Sequence, residues 1–302
     1  MQQESCRQLN RRAFLYQGTL LITGTLAVAP FNIRKAVAET EKTVLRIGLL
    51  TDVHYAEKKP AGNRYYEEST VKLADAATEL GKQQMDFVVE LGDFIDSVKS
   101  IETDKKHLRT INAEFRKICK ERHYVLGNHC VETLTKKEFL DEVGQEKSYY
   151  SFDRNGYHFI VLDACFRQDG VDYGRNNSQW TDTKLPDAEM KWLKEDLAAA
   201  EFPCILFLHQ RLDIENQQPC AVKNADRIRV LLEQSGKVRL VLQGHDHGGD
   251  YKEIAGIPYC TLSAVVEGSG SKNNSFSSLE IIENGNLRLR GFVKQKNRNI
   301  HE

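Results

Sequence analysis

Val238-Arg239-Leu240-Val241-Leu242-Gln243-Gly244-His245-Asp246-His247 is an apolar strand that ends on two histidines. The run at 238–242 has the length and side chains of a buried strand. Two imidazoles two residues apart, just past a strand, seldom serve packing, and imidazole nitrogen is a ligand for borderline divalent metals. Four more segments repeat the arrangement. A strand at 44–50 ends at Asp52-Val53-His54, and one at 86–91 runs into Gly92-Asp93-Phe94-Ile95-Asp96. A strand at 123–126 meets Gly127-Asn128-His129-Cys130, and one at 204–208 delivers His209. Asp163, at the end of 157–163, is a weaker sixth. Five of the nine histidines fall in these segments. Residues so far apart in the chain meet only if a sheet gathers the strand ends.

The intervening sequence supplies helices. Residues 67–82 carry Val71, Leu73, Ala74, Ala77 and Leu80 at helical spacing. Further helices are expected at 104–118, at 187–200 after Leu185-Pro186, and at 222–234 before Gly236. Asn155-Gly156 joins strands 149–153 and 157–163 as a hairpin, and Asn284-Gly285 joins 277–282 to 287–293. Short strands are also expected at 251–255 and 258–262. Strand, metal residue, helix is the repeated order. It predicts an α/β fold with the site along the C-terminal edge of its strands, and the hairpins predict a second sheet packed on the first. One domain is expected over 39–302, with its core at 44–294, a polar lead-in and a frayed polar tail from Lys294.

The first 38 residues differ in kind. Arg11-Arg12 precedes an uncharged, largely apolar stretch, then Ala36-Val37-Ala38. This predicts a twin-arginine signal peptide at 1–38, cleaved after Ala38. The protein is then periplasmic or otherwise exported, with no stable membrane anchor after cleavage; the alternative is an uncleaved N-terminal anchor. Lys+Arg is 42 and Asp+Glu is 43, a near-neutral balance that gives no basic surplus for nucleic acid. Of seven cysteines, Cys6 leaves with the signal. The other six lack CxxC spacing and are expected as buried free thiols.

The ligand types point to phosphoester hydrolysis by two metals about 3.5–4 Å apart. Asp93 would bridge them. Asp52, His54 and His247 would complete one site, and Asn128, His209 and His245 the other. Water held between both metals would be acidified toward hydroxide and attack in line. His129, next to a ligand but not needed as one, would protonate the leaving oxygen or stabilise phosphoryl charge. Arg64, Tyr65 and Tyr66 follow the first metal segment and could hold a second phosphate or stack on a base. Cys165 could line the pocket. Trp180 and Trp192 read as packing residues.

In this order, Asp-x-His, Gly-Asp-x-x-Asp, Gly-Asn-His, His and Gly-His-x-His resemble the calcineurin-like metallophosphoesterases. The resemblance spans residues 44 to about 294. It implies a four-layer α/β/β/α sandwich of two packed mixed sheets and a dinuclear centre of Mn, Fe or Zn. Asn63-Arg64-Tyr65-Tyr66, Gly156 to Ala164, Gly244 to Tyr251 and Val266-Glu267-Gly268 are similar to the manganese-dependent ADP-ribose/CDP-alcohol diphosphatases. There are three departures. His54 stands where those diphosphatases often carry Gln. Asp96 stands where purple acid phosphatases carry a Tyr ligand. Cys130 stands where the family usually has the carboxylate that orients His129, so Asp163 or another carboxylate would have to reach that ring. The expected activity is hydrolysis of phosphoanhydrides or phosphodiesters, nucleoside-diphosphate-linked compounds among them. The alternatives are a phosphomonoesterase for phosphate scavenging and a weakly active scaffold. The partner is a small phosphorylated substrate, and nothing in the sequence sets the oligomeric state.

Overall fold

The computed structural model describes residues 42–300, so the signal expected at 1–38 lies outside the described residues. In chain order the elements are β1 (Thr43–Leu50), α1 (Ser69–Gly81), β2 (Phe87–Glu90), α2 (Ile101–Phe115), β3 (Arg122–Tyr124), α3 (Lys136–Val143), β4 (Tyr150–Arg154) and β5 (Tyr157–Val161). There follow α4 (Asp187–Ala199), β6 (Cys204–Phe207), α5 (Ala225–Ser235), β7 (Val238–Gln243), β8 (Asp250–Ile254), β9 (Ile257–Thr261), β10 (Ser275–Ile282), β11 (Leu287–Val293) and β12 (Arg298–Ile300).

The strands form two six-stranded sheets, ordered β12-β11-β10-β1-β2-β3 and β4-β5-β6-β7-β9-β8. Both are mixed. β1, β2 and β3 run parallel in the first, and β5, β6, β7 and β9 in the second. Side chains alternate across a strand, so Leu45, Ile47 and Leu49 face inward. They meet Phe159, Val161, Ile205, Phe207, Leu240 and Leu242 between the sheets. Outside the first sheet, α1 applies Leu73, Ala76, Ala77 and Leu80, one stripe of an amphipathic helix, with Leu108, Ile111 and Phe115 of α2. Outside the second, Met190, Leu193 and Leu197 of α4 and Ile228 and Leu232 of α5 cover Ile160, Leu206 and Val241. The result is the four-layer α/β/β/α sandwich that the resemblance implied.

Local chemistry shifts several boundaries. Ser100 accepts a bond from the Thr103 amide, so α2 begins at Ile101, a turn nearly complete before residue 104. α3 was not anticipated: Thr135 and Glu138 form a reciprocal capping box, and Gly144 closes the helix in the left-handed conformation. The tail is not frayed throughout, because β12 pairs with β11 and Ile300 is buried. All six cysteines of the described residues are free; Cys119 and Cys220 are half-buried and the rest buried. Among the described residues, no helix is long and apolar enough to cross a membrane.

Candidate metal centre

Parallel strands end at one edge, and the chain turns sharply there. Asp52, His54, Asp93 and His245 all have positive φ, between 46° and 67°. Non-glycine residues seldom adopt this conformation, and when they do they cluster at functional sites. Here it turns consecutive strand-end side chains into one centre. Glycines make room: a Cβ at Gly127 would collide with the Asp93 amide and carboxylate, and one at Gly244 with Thr51 and Asp52.

Each carboxylate is held by one oxygen and presents the other. Asp52 Oδ2 accepts from the His245 amide at 2.9 Å and the Thr51 hydroxyl at 2.7 Å. Its Oδ1 is buried without a hydrogen bond and lies 3.4 Å from His247 Nε2 and 3.6 Å from His54 Nε2. Asp93 Oδ1 accepts from the His129 amide at 2.7 Å. Its Oδ2 sits 3.1 Å from His209 Nε2 and 3.6 Å from His54 Nε2, between the two groups. Donor atoms of Asp52, His54 and His247 lie within 4.8 Å of one another, as do those of Asp93, His209 and His245. Asn128 Oδ1 is buried and unpartnered in the loop beside Asp93.

Three of the four imidazoles are oriented from behind. His54 Nδ1 meets Asp96 at 3.2 Å, His247 Nδ1 meets Glu267 at 2.6 Å, and His209 Nδ1–H donates to the Leu91 carbonyl at 2.8 Å. This is how metal-binding histidines are held, with the other nitrogen left facing the ion. His54 Nε2 and His247 Nε2 face each other at 3.2 Å, and His245 Nδ1 and His209 Nε2 at 3.1 Å. Ligands about 2.0–2.2 Å from a cation lie roughly 3.0–3.5 Å apart, so the donor set fits. Burial opposes ionisation of Asp52 and Asp93, but the surrounding imidazoles outweigh it and hold both carboxyls below the usual range. Burial also opposes a charge on His209, yet Asp93 and Asp52 raise it to about 9.

His129 stands beside this group, 24% exposed, its ring edge-on to His54 at 4.7 Å. Its Nδ1 lies 3.5 Å from Asp96 Oδ1 and 3.7 Å from Glu132 Oε2. Asp96 is the nearest carboxylate to that ring, but its Oδ1 already accepts from Lys58 and His129 Nδ1 makes no hydrogen bond. Cys130 is buried, accepts from the Phe94 amide at 3.2 Å, and burial pushes its thiol well up. Asp163 is not at the centre. It is buried against Lys136 at 2.7 Å and accepts from the Cys165 amide. Cys165 is also fully buried, its thiol donating to the Leu126 carbonyl, so it packs and does not line a pocket.

The three residues after the first segment separate. Tyr66 is buried under the Lys58 ammonium, 4.1 Å from its ring, which removes it from substrate reach. Tyr65 lines a surface cavity beside His247. Arg64 bridges by its backbone to Glu267. Two residues were missed in the sequence. Trp180, expected to pack, is 48% exposed and stands edge-on to His245 at 5.5 Å. Trp192 does pack, against Tyr149 and the α4–α5 core. Arg211 is buried, and its guanidinium binds Asp213, Asp246 and Asp250, the last two on either side of His247. The only signal for Arg211 was an arginine two residues past His209.

Residues 45–249 match the profile of the calcineurin-like phosphoesterases. The chain is 24% identical over 277 residues to a rice protein named manganese-dependent ADP-ribose/CDP-alcohol diphosphatase, covering 76% of this chain and 86% of that one. It is 23% identical to the Danio rerio protein of the same name, covering 75% and 89%. A dimetal phosphatase from Danio rerio superposes with a TM-score of 0.74 at 21% identity, covering 86% of this chain and 99% of that structure. The purple acid phosphatase of yellow lupin gives 0.54 at 14% identity, over 84% and 52%. With its profile match running from β1 past His247, the chain belongs to the calcineurin-like phosphoesterase family of metal-dependent hydrolases acting on phosphoester or phosphoanhydride bonds.

Proposed function

We propose that this protein is an exported diphosphatase that uses two divalent cations, manganese by preference, to split nucleoside-diphosphate-linked compounds. The observation that carries it is Asp93 Oδ2, placed between the Asp52–His54–His247 and His209–His245 groups. Asp52, His54, His247 and Asp93 would hold one cation, and Asp93, Asn128, His209 and His245 the other. Bound there, the pair would acidify a water and offset phosphoryl charge. The names of the rice and Danio rerio relatives support manganese and a diphosphate substrate.

The chain's own groups do the rest. Thr51 and the His245 amide keep the Asp52 carboxylate turned. With Asp96 and Glu132 near Nδ1, His129 is free to give the proton on Nε2 to the leaving phosphate oxygen. Trp180 offers a flat apolar face for a base. The test is a panel of ADP-ribose, CDP-choline and simple monoesters with manganese-loaded protein. Formation of AMP or CMP supports the reading; hydrolysis of monoesters alone makes the protein a phosphatase. Export rests on Arg11-Arg12 and Ala36-Val37-Ala38. N-terminal sequencing from the cell envelope should read from Glu39, and a cytoplasmic protein starting at Met1 would overturn it.

A further inference from the structure

A cavity of about 650 Å³ opens beside His247. Glu267 and Gly268 belong to its lining, and the loop that carries them is fixed. The fully buried Lys72 of α1 donates to the carbonyls of Val265 at 2.8 Å, Glu267 at 3.0 Å and Gly268 at 2.6 Å. Most polar side chains of the lining are already engaged. Glu267 binds His247 through one oxygen and accepts from Asn63 through the other, at 2.6 Å each. Ser263 donates to the Gly248 carbonyl, Ser269 to Glu68, and Asn273 to the Ser269 carbonyl. The ammonium groups of Lys272 and Lys294 and the hydroxyl of Tyr65, all in the lining, make no hydrogen bond or ion pair among the described residues. All three can donate hydrogen bonds and two are cationic. The Lys294 amide bonds Asn274, which ties the strand end carrying one lysine to the turn carrying the other.

Next to a phosphoryl-handling centre, two unpaired ammonium groups and a phenol hydroxyl on one cavity wall suit an anion. We infer that this cavity is the subsite for the non-reacting phosphate of the substrate, held by Lys272, Lys294 and Tyr65. The inference rests on the diphosphatase reading for its ligand and on the cavity for its place. It makes the diphosphate the preferred substrate class over monoesters, because a monoester has nothing to put there.

The test uses α,β-methylene-ADP, which cannot be cleaved at the bridge, and AMP as the ligand without a second phosphate. Calorimetry with manganese-loaded protein should show the diphosphate binding at least about tenfold more tightly, as a charged hydrogen bond warrants. Lys272→Ala/Lys294→Ala should erase that preference, and Lys272→Arg/Lys294→Arg should restore most of it. A wild-type protein without the preference, or an alanine variant that keeps it, overturns the subsite. A lysine-dependent preference in an enzyme that hydrolyses only monoesters would leave the subsite standing and remove the diphosphatase reading.

Discussion

Replacing Arg211 by Met tests how the ligand-bearing loop is held. Arg211 is 3% exposed. It meets Asp213 in a two-point fork, Nε to Oδ1 at 3.0 Å and Nη2 to Oδ2 at 2.6 Å. Gln243 adds a donor to the same carboxylate at 2.8 Å. The guanidinium then reaches Asp246 at 2.6 Å and Asp250 at 2.5 Å, so it ties the loop after β6 to the β7–β8 loop and the start of β8. The side chains of Asp246 and Asp250 are 41% and 39% exposed, and water would screen them after the change. Asp213 has no such outlet, and stranding a buried carboxylate costs about 3–5 kcal/mol. At roughly 2–4 °C per kcal/mol for a domain of this size, Tm should fall by about 6–20 °C. His247 sits between the two freed aspartates, so manganese affinity should drop about 10–100-fold, as for other supports of metal ligands. Scanning calorimetry of the apoprotein and equilibrium dialysis with manganese measure the two effects separately. A variant that keeps both Tm and metal affinity would refute the account of the loop.

Three further outcomes follow from the site and its surroundings. His129→Ala should lower kcat by about 10²–10⁴-fold on substrates with poor leaving groups, less on activated aryl esters, with metal content unchanged; equal losses on both would argue against proton donation. Trp180→Ala should raise KM for nucleoside substrates about tenfold, the weight of one stacked base, and leave KM for aryl phosphate esters nearly alone; equal changes would place Trp180 outside the base contact. Burial lowers the His158 pKa, but Asp196 and Asp153, at 2.9 and 2.6 Å, outweigh it and raise it above 6.5. The stabilisation is therefore full below pH 6.5 and lost as pH rises through the folded pKa. Asp196→Asn should bring the NMR titration of His158 down and cost stability at pH 6 but not at pH 9; an unmoved titration would contradict the pairing.

The layers of the fold were legible because they depend on short-range pattern. Leu45, Ile47 and Leu49 alternate, and Leu73, Ala77 and Leu80 recur at helical spacing, whatever the rest of the chain does. The gathering of Asp52, His54, Asp93, His209, His245 and His247 was legible because each follows a strand. Thr135 and Glu138 also carry a local signal for α3, the capping box. Other features were not local. Asp96 comes within 3.5 Å of His129 only because the loops after β2 and β3 lie side by side. Tyr65 and Tyr66 are chain neighbours, yet one lines a cavity and the other is buried beneath Lys58. Trp180 lies far from His245 in sequence, and only the folded loop sets them edge to edge.

The centre itself is tested most directly by counting metal. Elemental analysis of manganese-reconstituted protein should find two ions per chain, and Asp93→Asn should retain one or none, because its Oδ2 serves both groups. One ion or none in the unaltered protein, or two in Asp93→Asn with normal turnover, would contradict the account.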